Sequence, residues 1–250
     1  MLKKLFGRLT GSASSSAPTD KAADPMEAAL LRQIEAKSKD DPLIGAKVGA
    51  KVIGERMLAA MTTKRGVHIE SMLCALGSLA GYSCQASVRA QARAQGLDEE
   101  AHFVRTEGAD GKTYFFGDPL NKLLAESPHS VWSLAAGGAQ IAGCTVVLDL
   151  EDIFRHVAGS VGTADFGHPR LPPEHTAHDT PLNYVEAFWP QLFPLISKFC
   201  PDPEHWPLLL GLAVQQLIVQ GKEVLDPCLS LGVVMESAIP MSKVDLQKRG

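Results

Sequence analysis

A chain of 250 residues, 45% hydrophobic and 21% charged, suits a soluble globular protein with one large core or two small ones. Its formal net charge of −4 gives no general attraction to nucleic acid or anionic lipid. The five cysteines, Cys74, Cys84, Cys144, Cys200 and Cys228, are widely spaced and never form a C-x-x-C pair. They read as buried, reduced thiols of a cytoplasmic protein and exclude a zinc ribbon or a disulfide framework.

The first nine residues place Leu2, Leu5, Phe6 and Leu9 at helical spacing, with Lys3, Lys4 and Arg8 on the remaining positions. Leu2, Lys3, Lys4, Phe6 and Arg8 form a candidate tether for a protein partner or for weak peripheral contact with a membrane. Residues 11–24, GSASSSAPTDKAAD, are too poor in large apolar side chains to fold. Residues 1–23 are therefore expected to be a flexible arm, followed by a single helical domain over 24–240 and a polar tail over 241–250.

Seven Asp, Ser or Thr residues stand directly before proline: Asp24, Asp41, Asp118, Ser127, Thr180, Asp202 and Asp226. Each pair carries the chemistry of a helix start. The side-chain oxygen accepts from an orphan first-turn N–H, and proline at the first helical position sacrifices no hydrogen bond. One helix is expected after Asp24, where Glu27 completes a capping box. A second is expected from Asp41-Pro42 to about Thr62, with Ile44, Val48, Val52 and Met57 facing inward. Its Gly45, Gly49 and Gly54 each weaken a helix by about 1 kcal/mol relative to Ala, which points to a backbone passing close by.

The segment from about Val67 to Gln95 is the expected centre of the core. Met72, Leu73, Leu76 and Leu79 project on one side, and Cys74, Gly77, Gly81 and Cys84 on another. Bulky residues on one face and tiny ones on the next describe a helix held between two neighbours. Glu70, Gln85 and Arg89 keep its apolar run below membrane-spanning length. Trp132–Cys144 repeats this composition. His68, His129 and His205 each precede such a run, as a decayed internal repeat would have it, although the intervals are unequal.

Residues 102–118 hold the one clear β signal. HFVRTE and KTYFFGD flank the loop GADG, which predicts a hairpin. An isolated hairpin is marginal, so a third strand or a helical surface is required. Thr145–Asp149 is the candidate third strand, unless it continues the preceding helix.

Residues 159–180 lack usable periodicity, and a loop of that length in a compact domain is commonly functional or disordered. His156, His168, His175 and His178, with Asp179, are candidate ligands for a divalent transition metal. Glu174 or Asp165 would then act as general base on a metal-bound water. No H-E-x-x-H, phosphate loop, G-x-S-x-G elbow or dinucleotide fingerprint is present. The C-terminal third returns to helices: an aromatic one after Thr180-Pro181, which Pro190 and Pro194 should kink or split, and two more after Asp202-Pro203 and Asp226-Pro227.

The sequence therefore describes a mainly α protein, a compact multi-helix bundle of about eight helices with one β-hairpin insertion over 102–118. The expected function is a non-catalytic cytoplasmic binding or assembly module with an unknown protein partner, no nucleic acid and no cofactor. The alternative is a metal-dependent hydrolase using the histidine-rich 156–179 segment.

Overall fold

The computed structural model describes residues 25–246. The candidate tether Leu2, Lys3, Lys4, Phe6 and Arg8 lies outside them, as does Asp24. Among the described residues, eight helices of eleven residues or more form a mainly α bundle carrying one two-stranded antiparallel hairpin. In chain order these are α1 (Pro25–Lys37), α2 (Ile44–Met61), α3 (Ile69–Ala94), β1 (Val104–Glu107), β2 (Thr113–Phe116) and the short α4 (Asp118–Asn121), which runs into a π turn over Lys122–Glu126. After these come α5 (Val131–Ala142), α6 (Leu150–Ser160), a 3₁₀ turn (Pro173–His175), α7 (Pro181–Phe199), α8 (His205–Gly221) and α9 (Pro227–Met241).

Helix α3 is the axis of the core, as its two apolar faces require. Met72, Leu73, Leu76 and Leu79 are fully enclosed, and so are the small residues between them. A Cβ on Gly77 would lie 2.8 Å from the Val234 carbonyl oxygen, and one on Gly81 would meet the carbonyl of Ala238. Both contacts advance by four residues along each chain, so α3 and α9 run parallel with backbones in direct contact. Helices α5 and α8 repeat the arrangement through Gly138 against Gln215 and Leu134 against Gly211. The small-residue stretches thus mark seams of close helix approach, backbone against backbone at Gly77, Gly81 and Gly138 and against the Leu134 side chain at Gly211.

The cap-and-proline pairs fall into two groups. Thr180 accepts from Asn183 N–H and Asp226 from Leu229 N–H, and both start helices as expected. Asp41 and Asp202 instead accept from the amide two residues on, making turns that delay α2 to Ile44 and α8 to His205. Asp118 lies one position inside α4, and Ser127 closes the π turn while Ser130 caps α5. Asp149 caps α6 with no proline beside it. An oxygen before proline is satisfied equally by an Asx turn and by a helix cap, and local chemistry does not separate the two.

Several expectations are corrected. On α2 the fully buried face is Gly45, Gly49, Ile53 and Met57; Met57 faces inward as expected, Val48 and Val52 pack half-buried against the core, and Ile44 is half-buried. The glycines turn inward because Phe199 and Leu209 occupy the space a side chain would need. Helix α7 is not split: Pro190 and Pro194 lie four residues apart on its exposed face, where the carbonyls they leave unbonded can reach water.

The hairpin pairs Val104 with Phe116 and Thr106 with Tyr114. Thr145–Asp149 is neither its third strand nor an extension of α5, which ends at Gly143 in the left-handed conformation. The third partner comes from the expected polar tail. Phe115 N–H donates to the Lys243 carbonyl at 2.9 Å, and Tyr114 bridges Val244. Residues Met241 to Asp245 are buried, with Gln85 donating to the Ser242 and Val244 carbonyls. Lys243 itself is enclosed, its ammonium on Asn121 Oδ1 at 3.2 Å and over the rings of Phe116 and Phe154. Burial pushes its pKa down to about 8.

Two of the five cysteines are not free thiols. Cys144, after α5, forms a disulfide with Cys228, in the first turn of α9, 84 residues later. Cys74, Cys84 and Cys200 are buried and free, and burial raises their pKa values to about 11, 12 and 12. The cytoplasmic expectation rested on reduced thiols, and a disulfide removes that support because such bonds are rare in the cytosol. Among the described residues no helix is long and apolar enough to cross a membrane.

Candidate functional site

The first turn of α3 gathers the densest polar chemistry. His68 is its N-cap, and the imidazole does what a serine or aspartate usually does: Nδ1 accepts from Ser71 N–H at 3.3 Å. Ser71 Oγ also lies 2.9 Å from that Nδ1. Because Nδ1 accepts from the backbone amide, the ring proton sits on Nε2, which faces Glu70 Oε2 at 3.3 Å. Hydroxyl, imidazole and carboxylate thus stand in line within four consecutive residues.

The irregular 161–180 segment is seated on this turn. His175 Nδ1 meets Glu70 Oε1 at 2.9 Å. His178 N–H donates to Ser71 Oγ at 2.9 Å, and its ring stacks on that of His68 with centroids 4.0 Å apart. Farther up the segment, Arg170 binds Glu236 Oε1 at 2.7 Å and Asp152 Oδ2 at 2.8 Å, which ties it to α9 and α6. The long loop is therefore a fitted element with two points of attachment.

Electrostatics follow from this packing. Burial lowers the pKa of His68, with neighbouring His178 acting the same way against the pull of Glu70, so the ring is held below its ordinary value. For Glu70 burial is the largest influence and acts upward. The hydrogen bond from His175, the helix backbone and both imidazoles together outweigh it, so the carboxyl lies below its usual range. Burial raises the Tyr184 phenol to about 12.

A cavity of 380 Å³ opens beside this cluster. Ala60, Met61, Val67 and Phe188 give it apolar walls, His68, Ser71, His178 and Tyr184 give it polar ones, and the exposed Arg65 joins the lining. The size is that of a small-molecule site. A larger cavity, 650 Å³, is lined by the π turn, by His102, His129 and His205, and by Asp118, Glu126 and Glu204. Among the described residues no hydrogen bond joins those side chains into a relay.

The candidate metal ligands do not converge. His175 and His178 come to α3, but His156 sits on α6 and His168 lines a separate 190 Å³ cavity beside Asp110 and Tyr114. Asp179 is used at the start of α7, where it accepts from Thr180 N–H and the Asn183 amide. Glu174 and Asp165 are exposed. Among the described residues no group of three or more His, Cys, Asp or Glu side chains is placed to hold a metal ion. The residues that do assemble, His68, Glu70, Ser71 and Tyr184, were legible in sequence only as helix boundary and core. The one signal present was the three-residue interval from His68 to Ser71, which is a capping interval. Comparison with family models, curated proteins and solved structures matches none of them to this chain.

Proposed function

We propose that the protein is a binding module for a small, mainly apolar molecule that carries a carbonyl or carboxyl group. The observation that supports it most is the composition of the 380 Å³ cavity: hydrocarbon walls around a cluster of hydrogen-bonding groups already ordered by one another. Apolar walls contribute affinity in proportion to the area they cover, and a few fixed polar groups set orientation. Imidazole, phenol and the Arg65 guanidinium are donors suited to an oxygen acceptor.

The test is a thermal-shift and calorimetric survey of medium-chain carboxylic acids and their esters against the full chain. Binding of at least one compound, lost when Val67→Trp fills the cavity, is the expected result. Failure of every compound to shift the melting temperature, or binding unaffected by Val67→Trp, overturns the reading.

A further inference from the structure

We infer that Ser71 is a nucleophile, with His68 as its general base, and that the cavity hydrolyses compact carboxylic esters. The inference rests on the binding reading above, since the ester must occupy the same cavity. Three features carry it. Ser71 Oγ lies 2.9 Å from an imidazole nitrogen that the Ser71 amide keeps as an acceptor. The opposite nitrogen faces a carboxylate, Glu70 Oε2, at 3.3 Å. The hydroxyl, otherwise buried, lines the cavity. A hydroxyl, a base and a third group that orients the base are the parts nucleophilic catalysis requires, and they are recognised by geometry, not by sequence order.

In the reaction, the Ser71 Oγ–H proton passes to His68 Nδ1 as Oγ bonds to the ester carbonyl carbon. The Tyr184 hydroxyl, which lines the same cavity as Ser71, donates to the oxygen that becomes negative. Burial favours the protonated phenol that this role needs. Collapse breaks the bond to the alcohol oxygen, which takes the proton from His68 and leaves an acyl group on Ser71. Water then attacks the acyl carbon, His68 receives its proton, and release of the acid returns that proton to Ser71 Oγ. Ester and water become acid and alcohol. Glu70 is a positioning residue: its carboxylate, 3.3 Å from Nε2, steadies the imidazolium by its charge, while His175 holds Glu70 from the loop.

The test treats the full chain with a fluorophosphonate probe and with 4-nitrophenyl acetate and butyrate. One adduct per chain, mapped to Ser71 by peptide mass, is expected, together with ester turnover. His68→Gln should slow labelling by about 100-fold or more. The labelling rate should rise with pH through a single inflection below the ordinary histidine value. Glu70→Gln should move that inflection lower, which a merely structural carboxylate would not do. Absence of an adduct on Ser71, or labelling unchanged in His68→Gln, overturns the proposal. Because the adduct and its mapping to Ser71 are read on wild-type protein, a Ser71→Ala variant that fails to fold does not blunt them. Ligand binding without an adduct removes the catalysis alone, and loss of both removes the binding reading as well.

Discussion

The imidazole of His178 lies stacked on that of His68, with ring centroids 4.0 Å apart, although 110 residues separate them in sequence. One ring caps a core helix and the other rides on an irregular segment, so their contact joins the loop to the most deeply buried element of the fold. Glu70 and His175 reinforce the junction from the other side of the helix turn. The groups that face His68 are Glu70 on its own helix and His178 on the loop, with His175 meeting Glu70 beyond.

This junction makes stability depend on pH in a stated direction. His68 has a folded pKa below its ordinary 6.5, so as pH falls the unfolded chain takes up that proton first. The stabilisation is complete above about 6.5 and is lost as pH drops through the lower folded value. Glu70, also depressed, adds a second loss below its ordinary 4.5. Melting temperatures should fall steadily on acidification from neutral pH, and His178→Ala should flatten the first part of the curve. A flat profile down to about pH 5 would contradict the junction.

Lys243 acts in the opposite range. Its folded pKa of about 8 lies below the ordinary 10.5, so the unfolded chain binds more protons between those values and stability rises with pH across that window. Lys243→Met is expected to raise the melting temperature at pH 7, because burying an ammonium costs more than burying a thioether. The advantage should shrink as pH climbs past 8. Equal melting curves for the two proteins at pH 7 and pH 10 would count against this account.

Glycines offer a matched pair of substitutions. Gly54→Ala on α2 meets nothing within 4 Å and should stabilise the protein by about 0.5–1 kcal/mol through helix propensity. Gly81→Ala drives a methyl group into the Ala238 carbonyl and should cost about 1–3 kcal/mol by separating α3 from α9. Urea unfolding of both variants checks the sign as well as the size.

Reduction of Cys144–Cys228 reopens a loop of 84 residues in the unfolded chain. A loss of about 2–4 kcal/mol is expected. Melting with and without dithiothreitol measures it, and Cys144→Ser should abolish the difference between the two conditions. Persistence of that difference in Cys144→Ser would place the sensitive thiols elsewhere.

Helix content, the hairpin and the core role of α3 follow from local patterns, because amphipathic period and turn chemistry act between residues a few positions apart. Thr180 and Asp226 were legible as caps for the same reason. The candidate site was not. His68 looked like the residue before a core helix and Glu70 like the end of its apolar run. Nothing in their neighbourhood announced that residues 175–178 would settle upon them. The histidine-rich segment drew attention by composition, yet only His175 and His178 reach the cluster, since His156 sits on α6 and His168 lines a separate cavity.

Taken alone, then, the sequence determined which stretches are helical, where two strands turn back on each other, and which helices are smooth enough to touch backbone to backbone. These are interactions between near neighbours in the chain, and their energies do not depend on where the rest of the molecule lies. Tertiary structure decided three matters. Val244 and Lys243 complete the hairpin where a strand at Thr145–Asp149 was expected, Cys144 meets Cys228, and Ser71 and His68 share a cavity with His178. The hairpin pairing, the disulfide and the contact of His178 with His68 and Ser71 join residues more than 80 positions apart. Which distant partners meet is set by the packing of all the helices together, and no single segment carries that information.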